Sequence, residues 1–133
     1  MQDSMTIGRL AKLAGVNVET VRYYQRRGLL REPSKPLGGH RRYSPAVVRQ
    51  IGFIRRAQQL GFSLEEVRSL MELSEATDCN DARGIAEQKC EALGVRIAQL
   101  NTMRRELKRL IGACKRKARG ASCPLIAELS KPD

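Results

Sequence analysis

The sequence predicts a mainly α-helical chain: a cluster of short helices with one small β-hairpin, followed by a single long helix. Three observations predict it. Short amphipathic patterns separated by glycine turns fill the first half. A stretch from Pro33 to Tyr43, with two prolines and paired glycines, interrupts them and cannot be helical. From Asp81 to Ala113 there is no proline, and apolar residues recur every seven positions.

The 133 residues carry 25 Lys and Arg against 14 Asp and Glu, a formal net charge of +11 with a pI near 10.2. A balance that basic makes nucleic acid the expected partner, ahead of an anionic membrane surface. No apolar run approaches the roughly 20 residues of a spanning helix, and the start has no continuous apolar signal segment. The chain is therefore expected in the cytoplasm, with no membrane partner. In that reducing setting its four cysteines read as thiols or metal ligands rather than disulfides. Residues 1–72 hold 13 basic and 6 acidic side chains, with arginines clustered at Arg22-Arg26-Arg27-Arg31 and Arg41-Arg42-Arg49.

The first helix is carried by Ile7, Leu10, Ala11 and Ala14 at i, i+3, i+4, i+7 spacing, with Thr6 as its N-cap. Gly15-Val16-Asn17 makes a tight turn. A second helix runs from Val18 to Arg27 and closes at Gly28, a residue suited to a left-handed C-cap. Two short helices joined by such a turn form a helix-turn-helix. In the second, Val18, Val21 and Tyr24 can face the first helix, leaving Glu19, Thr20, Arg22, Tyr23 and Arg26 outward. Those types suit a recognition helix: arginine for guanine edges or phosphates, hydroxyls for phosphates.

Gly38-Gly39 reads as a hairpin tip, with Arg41-Arg42-Tyr43 on the return strand. A basic hairpin beside a recognition helix makes a wing that reaches the DNA backbone or minor groove. His40, the single histidine, reads as a surface or DNA-proximal side chain. Ser44 and Pro45 open a third helix as N-cap and first residue, with Val48, Ile51, Ile54 and Leu60 as its apolar stripe. Phe62-Ser63-Leu64-Glu65-Glu66-Val67 then starts a fourth helix, with Ser63 and Glu66 as a capping box and Phe62 and Val67 as a hydrophobic staple.

In the long helix Ala86, Leu93, Leu100, Leu107 and Cys114 repeat every seven residues, joined by Ile97, Met103, Leu110 and Ile111. A narrow apolar seam on an otherwise charged helix needs a partner, and a homodimer supplies one. Cys79 precedes this helix and Cys114 follows it. Thirty-five residues at 1.5 Å rise separate them by about 50 Å in one chain. In an antiparallel dimer, Cys79 of one protomer would meet Cys114 of its partner. Cys123 closes a ten-residue loop with Cys114 that contains four cations and no acid, a setting that favours thiolates. Three thiolates without a fourth ligand suit a soft thiophilic ion better than zinc. A regulatory disulfide between Cys114 and Cys123 stays open on spacing alone. Cys90, inside the helix, reads as a packing residue. One histidine and no nucleophile or acid–base constellation argue against an enzyme.

The segments Thr6-Ile7-Gly8, Gly15-Val16-Asn17-Val18-Glu19-Thr20-Val21-Arg22-Tyr23-Tyr24, Gly28-Leu29, Arg41-Arg42-Tyr43 and Leu60-Gly61-Phe62-Ser63-Leu64 resemble the DNA-binding domain of the MerR family of transcription activators. The similarity runs from Thr6 to about Leu129. Cys79, Cys114 and Cys123, followed by Pro124-Leu125-Ile126, resemble the trigonal thiolate site of the family's mercuric-ion sensors. The resemblance implies a homodimer on double-stranded operator DNA inside a promoter, RNA polymerase as a further partner, and Hg(II) as inducer. Pb(II) and Cd(II) are the alternatives, because lead and cadmium sensors share three cysteines.

The division expected is a winged helix-turn-helix DNA-binding domain over 5–73, an antiparallel coiled-coil dimerisation helix over 80–113, and a metal-binding loop with a short helix over 114–133. The expected DNA contacts are Glu19, Thr20, Arg22, Tyr23, Arg26, Arg41, Arg42 and Tyr43, and the expected metal ligands Cys79, Cys114 and Cys123. From a different class, a basic coiled-coil architectural nucleic-acid-binding protein would explain the charge and the long helix. It would leave the three placed thiols unexplained.

Overall fold

Helix boundaries follow from the caps. In a computed structural model that describes residues 4–34, 39–73 and 75–133, the helices run in order α1 (Ile7–Ala14), α2 (Val18–Arg26), α3 (Ala46–Gln59), α4 (Leu64–Met71), α5 (Cys79–Arg116) and α6 (Pro124–Leu129). Thr6 accepts from the Arg9 amide at the start of α1, and Asn17 accepts from the Thr20 amide at the start of α2. Gly15 ends α1 at φ 73°, where a side chain would be strained, and its N–H returns to the carbonyls of Ala11 and Lys12. Gly28 takes the same left-handed conformation after α2, at φ 75°. Ser63 and Glu66 form the capping box of α4 in both directions.

Leu10, Val21, Ile51, Ile54 and Val67 are fully buried and come from four different helices, so α1 to α4 share one core. Ala11, Tyr24, Leu29, Leu30, Tyr43 and Ala57 complete it. The Tyr24 hydroxyl donates to Gln58 Oε1 at 2.9 Å, and burial raises its pKa above the ordinary tyrosine value. Two arginines act as clamps inside this unit. Arg55 donates to the Ala14 and Gly15 carbonyls at the end of α1, and Arg68 donates to the Arg27 carbonyl after α2. Each places a cation at the negative end of a helix.

Several expectations need correction. Pro45, not Ser44, occupies the N-cap position of α3, although Ser44 Oγ still accepts from the Ala46 amide. Leu60 is not part of the core: it sits at the C-cap of α3 and is 67% exposed, while Ala57, one turn earlier, is buried. The return arm of the wing forms no hairpin ladder among the described residues. Tyr43 instead bridges antiparallel to Met5, with N–O distances of 2.9 and 2.8 Å, because its ring is drawn into the core beside the chain start. The tip expected at Gly38-Gly39 lies partly outside the described residues.

The long helix extends beyond its predicted ends, taking in Cys79 as its first residue and Cys114 in its last turn. By its internal packing the chain forms two compact units, residues 1–89 and 90–133. The first turns of α5 belong to the first unit, where Lys89 Nζ pairs with Glu66 Oε1 at 2.9 Å. The Ser63 amide, and after it Lys89, hold the Glu66 carboxyl below the ordinary glutamate pKa. In the second unit Leu93, Ile97, Leu100, Met103, Leu107 and Ile111 are all exposed, and Leu110 is the one buried residue of α5.

Candidate nucleic-acid interface and metal centre

In α2, burial of Val21 and Tyr24 against the core turns Glu19, Arg22, Tyr23 and Arg26 outward. Arg22 Nη1 pairs with Glu19 Oε1 at 2.9 Å, with the arginine side chain 53% exposed. That pair is i,i+3 on an open surface, worth little, and easily exchanged for a phosphate or a base edge. Thr20 donates its hydroxyl to Asn17 Oδ1, so it serves the helix N-terminus as well as facing partly outward. Arg27 lies over the Tyr23 ring, 5.9 Å from its centre, and steadies it.

Beside α2 opens a groove of about 590 Å³ lined by Thr6, Arg22, Gln25, Arg26, Glu32, His40, Arg41 and Tyr43, among others. Its cationic wall and open shape suit a phosphodiester backbone. Arg41 is held there by the Pro33 carbonyl at 3.0 Å and by Glu32 at 3.1 Å. Arg42 is instead drawn to the chain start, donating to the hydroxyl and carbonyl of Ser4.

Tyr43 departs from its expected role as a DNA contact. Its ring is 3% exposed, and its hydroxyl accepts from Gln25 Nε2 at 2.8 Å. It braces α2 through Gln25 and stands almost wholly within the core. Gln25 was missed by the sequence reading. Its place one residue after buried Tyr24 gave only a polar residue on a helix, and its partner Tyr43 is 18 residues away.

Because Arg22 is the most central exposed cation of the outward face, Arg22→Ala is expected to weaken operator binding several-fold or more, within the roughly 1–3 kcal/mol of a base-reading arginine. Gel-shift affinities at fixed salt measure it, and unchanged binding would remove the recognition role from α2.

The thiols form the second locality. Cys114 in the last turn of α5 and Cys123 just before α6 bring their sulfurs within 3.6 Å, across the loop that returns the chain. Both are half-buried, and Lys117 donates to the Ala121 carbonyl to hold the turn, which closes at Gly120 with φ 84°. The Cys123 thiol is lowered below the ordinary cysteine value, first by the Ile126 amide, then by Cys114, the Leu125 amide and Lys117. Backbone amides at the start of α6 thus lead the loop cations that the sequence had suggested as the cause.

A thiolate–metal bond of about 2.3 Å sets two sulfurs roughly 3.7–4.0 Å apart for S–M–S angles of about 109–120°. The observed pair needs a shift of only a few tenths of an ångström to share one soft ion. Cys79, at the other end of α5, and Cys90 are exposed, so Cys90 does not pack within the chain as expected. Among the described residues of one chain, no three potential metal-ligating side chains converge. No described helix is long and apolar enough to cross a membrane.

Comparison with known proteins agrees with this layout. Residues 5–74 match the MerR HTH family regulatory proteins, and residues 48–110 match the family described as MerR, DNA binding. A mercuric resistance operon regulatory protein of Shigella flexneri is 48% identical, over 96% of this chain and 88% of that protein. Among solved structures, the regulator PbrR691 of Ralstonia metallidurans CH34 in complex with lead(II) has a TM-score of 0.79 at 29% identity, covering 95% of this chain and 99% of that one. The dual function regulator MerR of Bacillus megaterium MB1 in complex with mercury(II) has a TM-score of 0.72 at 35% identity, covering 96% and 100%. With its helix-turn-helix, its long helix and matches over nearly its whole length, the chain belongs to the MerR family: it is a DNA-binding regulator of transcription and not an enzyme.

Proposed function

We propose that this chain is a homodimeric regulator of mercury-resistance genes, acting in the cytoplasm as repressor without Hg(II) and activator with it. The observation that carries the proposal is the Cys114–Cys123 pair, 3.6 Å apart, in a chain 48% identical to a mercuric resistance operon regulator. The parts divide as 5–73 for DNA, 80–113 for dimerisation and 114–133 for the ion.

The exposed seam of α5 is the surface a second copy would cover, and antiparallel pairing would bring Cys79 of the partner subunit to the loop. Each site then holds three thiolates, two from one protomer and one from the other, a donor set that favours a soft ion. Because the third ligand crosses the interface, ion binding favours one arrangement of the dimer over another. It can shift that equilibrium only by its differential affinity for the two. Transmitted to the DNA-binding units, the shift would alter the deformation of the promoter between them and so its use by RNA polymerase.

The lead(II) complex has the higher TM-score, 0.79 against 0.72, yet the lower identity, 29% against 35%. Backbone likeness is common to sensors of different ions, so sequence identity is the better guide to the ion, and it favours mercury over lead or cadmium.

A mixed dimer tests the arrangement. One protomer carries Cys79→Ala, the other Cys114→Ala with Cys123→Ala. Antiparallel pairing leaves one end with all three thiols and the other with none. Such a dimer, purified through two different tags, is expected to hold one Hg(II) bound by three thiolates, counted by native mass spectrometry and identified by its ultraviolet thiolate absorption, whereas neither mutant homodimer has a complete three-thiol site. A mixed dimer that binds no ion would overturn the cross-chain site.

A further inference from the structure

The thiol pair lies inside a concentration of unpaired positive charge. Residues 90–133 carry ten basic and four acidic side chains. Two of those acids are engaged elsewhere: Glu106 with Arg109, and Glu128 with Lys131. Lys115, Arg116, Lys117 and Arg119, all exposed and all between Cys114 and Cys123, pair with no carboxylate among the described residues. Lys117 spends one donor on the Ala121 carbonyl, and Arg116 folds back over Gly112. A bare divalent cation would be repelled by this collar. The same cations that favour the thiolates also set up a positive field on the rim, which slows the approach of a bare cation and speeds that of an anion.

We propose that the loop receives its ion from an anionic complex, a divalent metal held by two small thiolates that carry carboxylates, and that the collar captures this complex ahead of ligand exchange. The inference rests on the metal response proposed above and names the form in which the ion is delivered. In the exchange two of the three protein sulfurs bond to the metal as the two carrier thiolates leave, and the third bonds without a departure, taking the metal from two sulfur ligands to three. The two departing thiolates take up protons from two of the protein thiols, and the third proton goes to water. The metal stays divalent and no electron is transferred. The carboxylates of the carrier meet the ammonium and guanidinium groups while its sulfurs are displaced at Cys114 and Cys123.

The test offers the full-length dimer Hg(II) in two carriers with the same sulfur–metal bonds: the bis-glutathione complex, which is anionic, and the bis-cysteamine complex, which is cationic. Capture is followed by stopped-flow ultraviolet thiolate absorption. From the anionic carrier at about 0.01 M salt, where charges act over roughly 30 Å, the wild type is expected to be on the order of tenfold faster than the Lys115→Gln, Arg116→Gln, Arg119→Gln variant, at the low end of electrostatic steering. The variant leaves Lys117 and its hold on the loop in place. Near 1 M salt the difference is expected to vanish, and the cationic carrier is expected to reverse it. The salt dependence of the wild type alone reads the same effect if the variant folds poorly. Equal, salt-insensitive capture from both carriers would overturn the proposal. So would a variant that captures normally but binds operator DNA more weakly, which would give the collar to phosphates of DNA. Wild-type protein that takes Hg(II) from neither carrier would overturn the mercury response itself, and this inference with it.

Discussion

Cys114→Ala is expected to abolish the transcriptional response to Hg(II) while operator binding and repression stay close to wild type. Cys114 supplies one of two sulfurs that stand 3.6 Å apart in one chain. Its loss leaves the loop with a single thiol in place of the pair on which the proposed three-thiolate site rests. The DNA-binding helices belong to the other compact unit, with their own core, so the substitution does not reach them. Cys79→Ala and Cys123→Ala are expected to behave alike, and Cys90→Ala to induce nearly normally. A reporter fused to the promoter, read beside gel shifts, checks all four. A normal response from Cys114→Ala would remove the site.

Ile51→Ala is expected to have the largest effect on stability. Ile51 is fully buried on α3, in the core that α1 to α4 share. Removing its branched side chain there forfeits burial and leaves a cavity, at a cost of about 2–5 kcal/mol. Against the roughly 5–15 kcal/mol of a typical domain, that loss also weakens operator binding at ordinary temperatures. Leu60→Ala is the control: at 67% exposed on the C-cap of the same helix, it is expected to change stability by no more than about 0.5 kcal/mol. Urea unfolding followed by circular dichroism compares them, and equal midpoints for the two variants would contradict the assigned core.

These two positions show where sequence periodicity was sufficient and where it was not. Ile51 and Leu60 fit the same apolar stripe, but the period says nothing about where the helix ends, and Leu60 falls past its last turn. Local chemistry marked the helices well wherever a cap announced them. Thr6, Asn17, Gly15, Gly28 and the Ser63–Glu66 box act within three or four residues, so their consequences are contained in the sequence itself. The outward set on α2 was legible for the same reason, since burying Val21 and Tyr24 dictates which side chains face away. The three separated cysteines are equally visible in the sequence, but their spacing alone leaves a metal site and a disulfide both open.

Tertiary structure decided the rest, through contacts between residues far apart in the chain. Tyr43 sits in a basic segment and reads as a DNA contact until the core beneath α2 takes up its ring and Gln25 its hydroxyl. Arg55 and Arg68 are indistinguishable from DNA-facing arginines in sequence, yet they hold the carbonyl ends of helices some forty residues away. Cys114 and Cys123 lie nine residues apart, a spacing open to many loop shapes, and only the turn before α6 closes their sulfurs to 3.6 Å. Caps and periodicity are short-range and additive, so the sequence displays them. Which cation meets a phosphate, a carbonyl or water depends on competition among partners that come within reach only after the chain has folded.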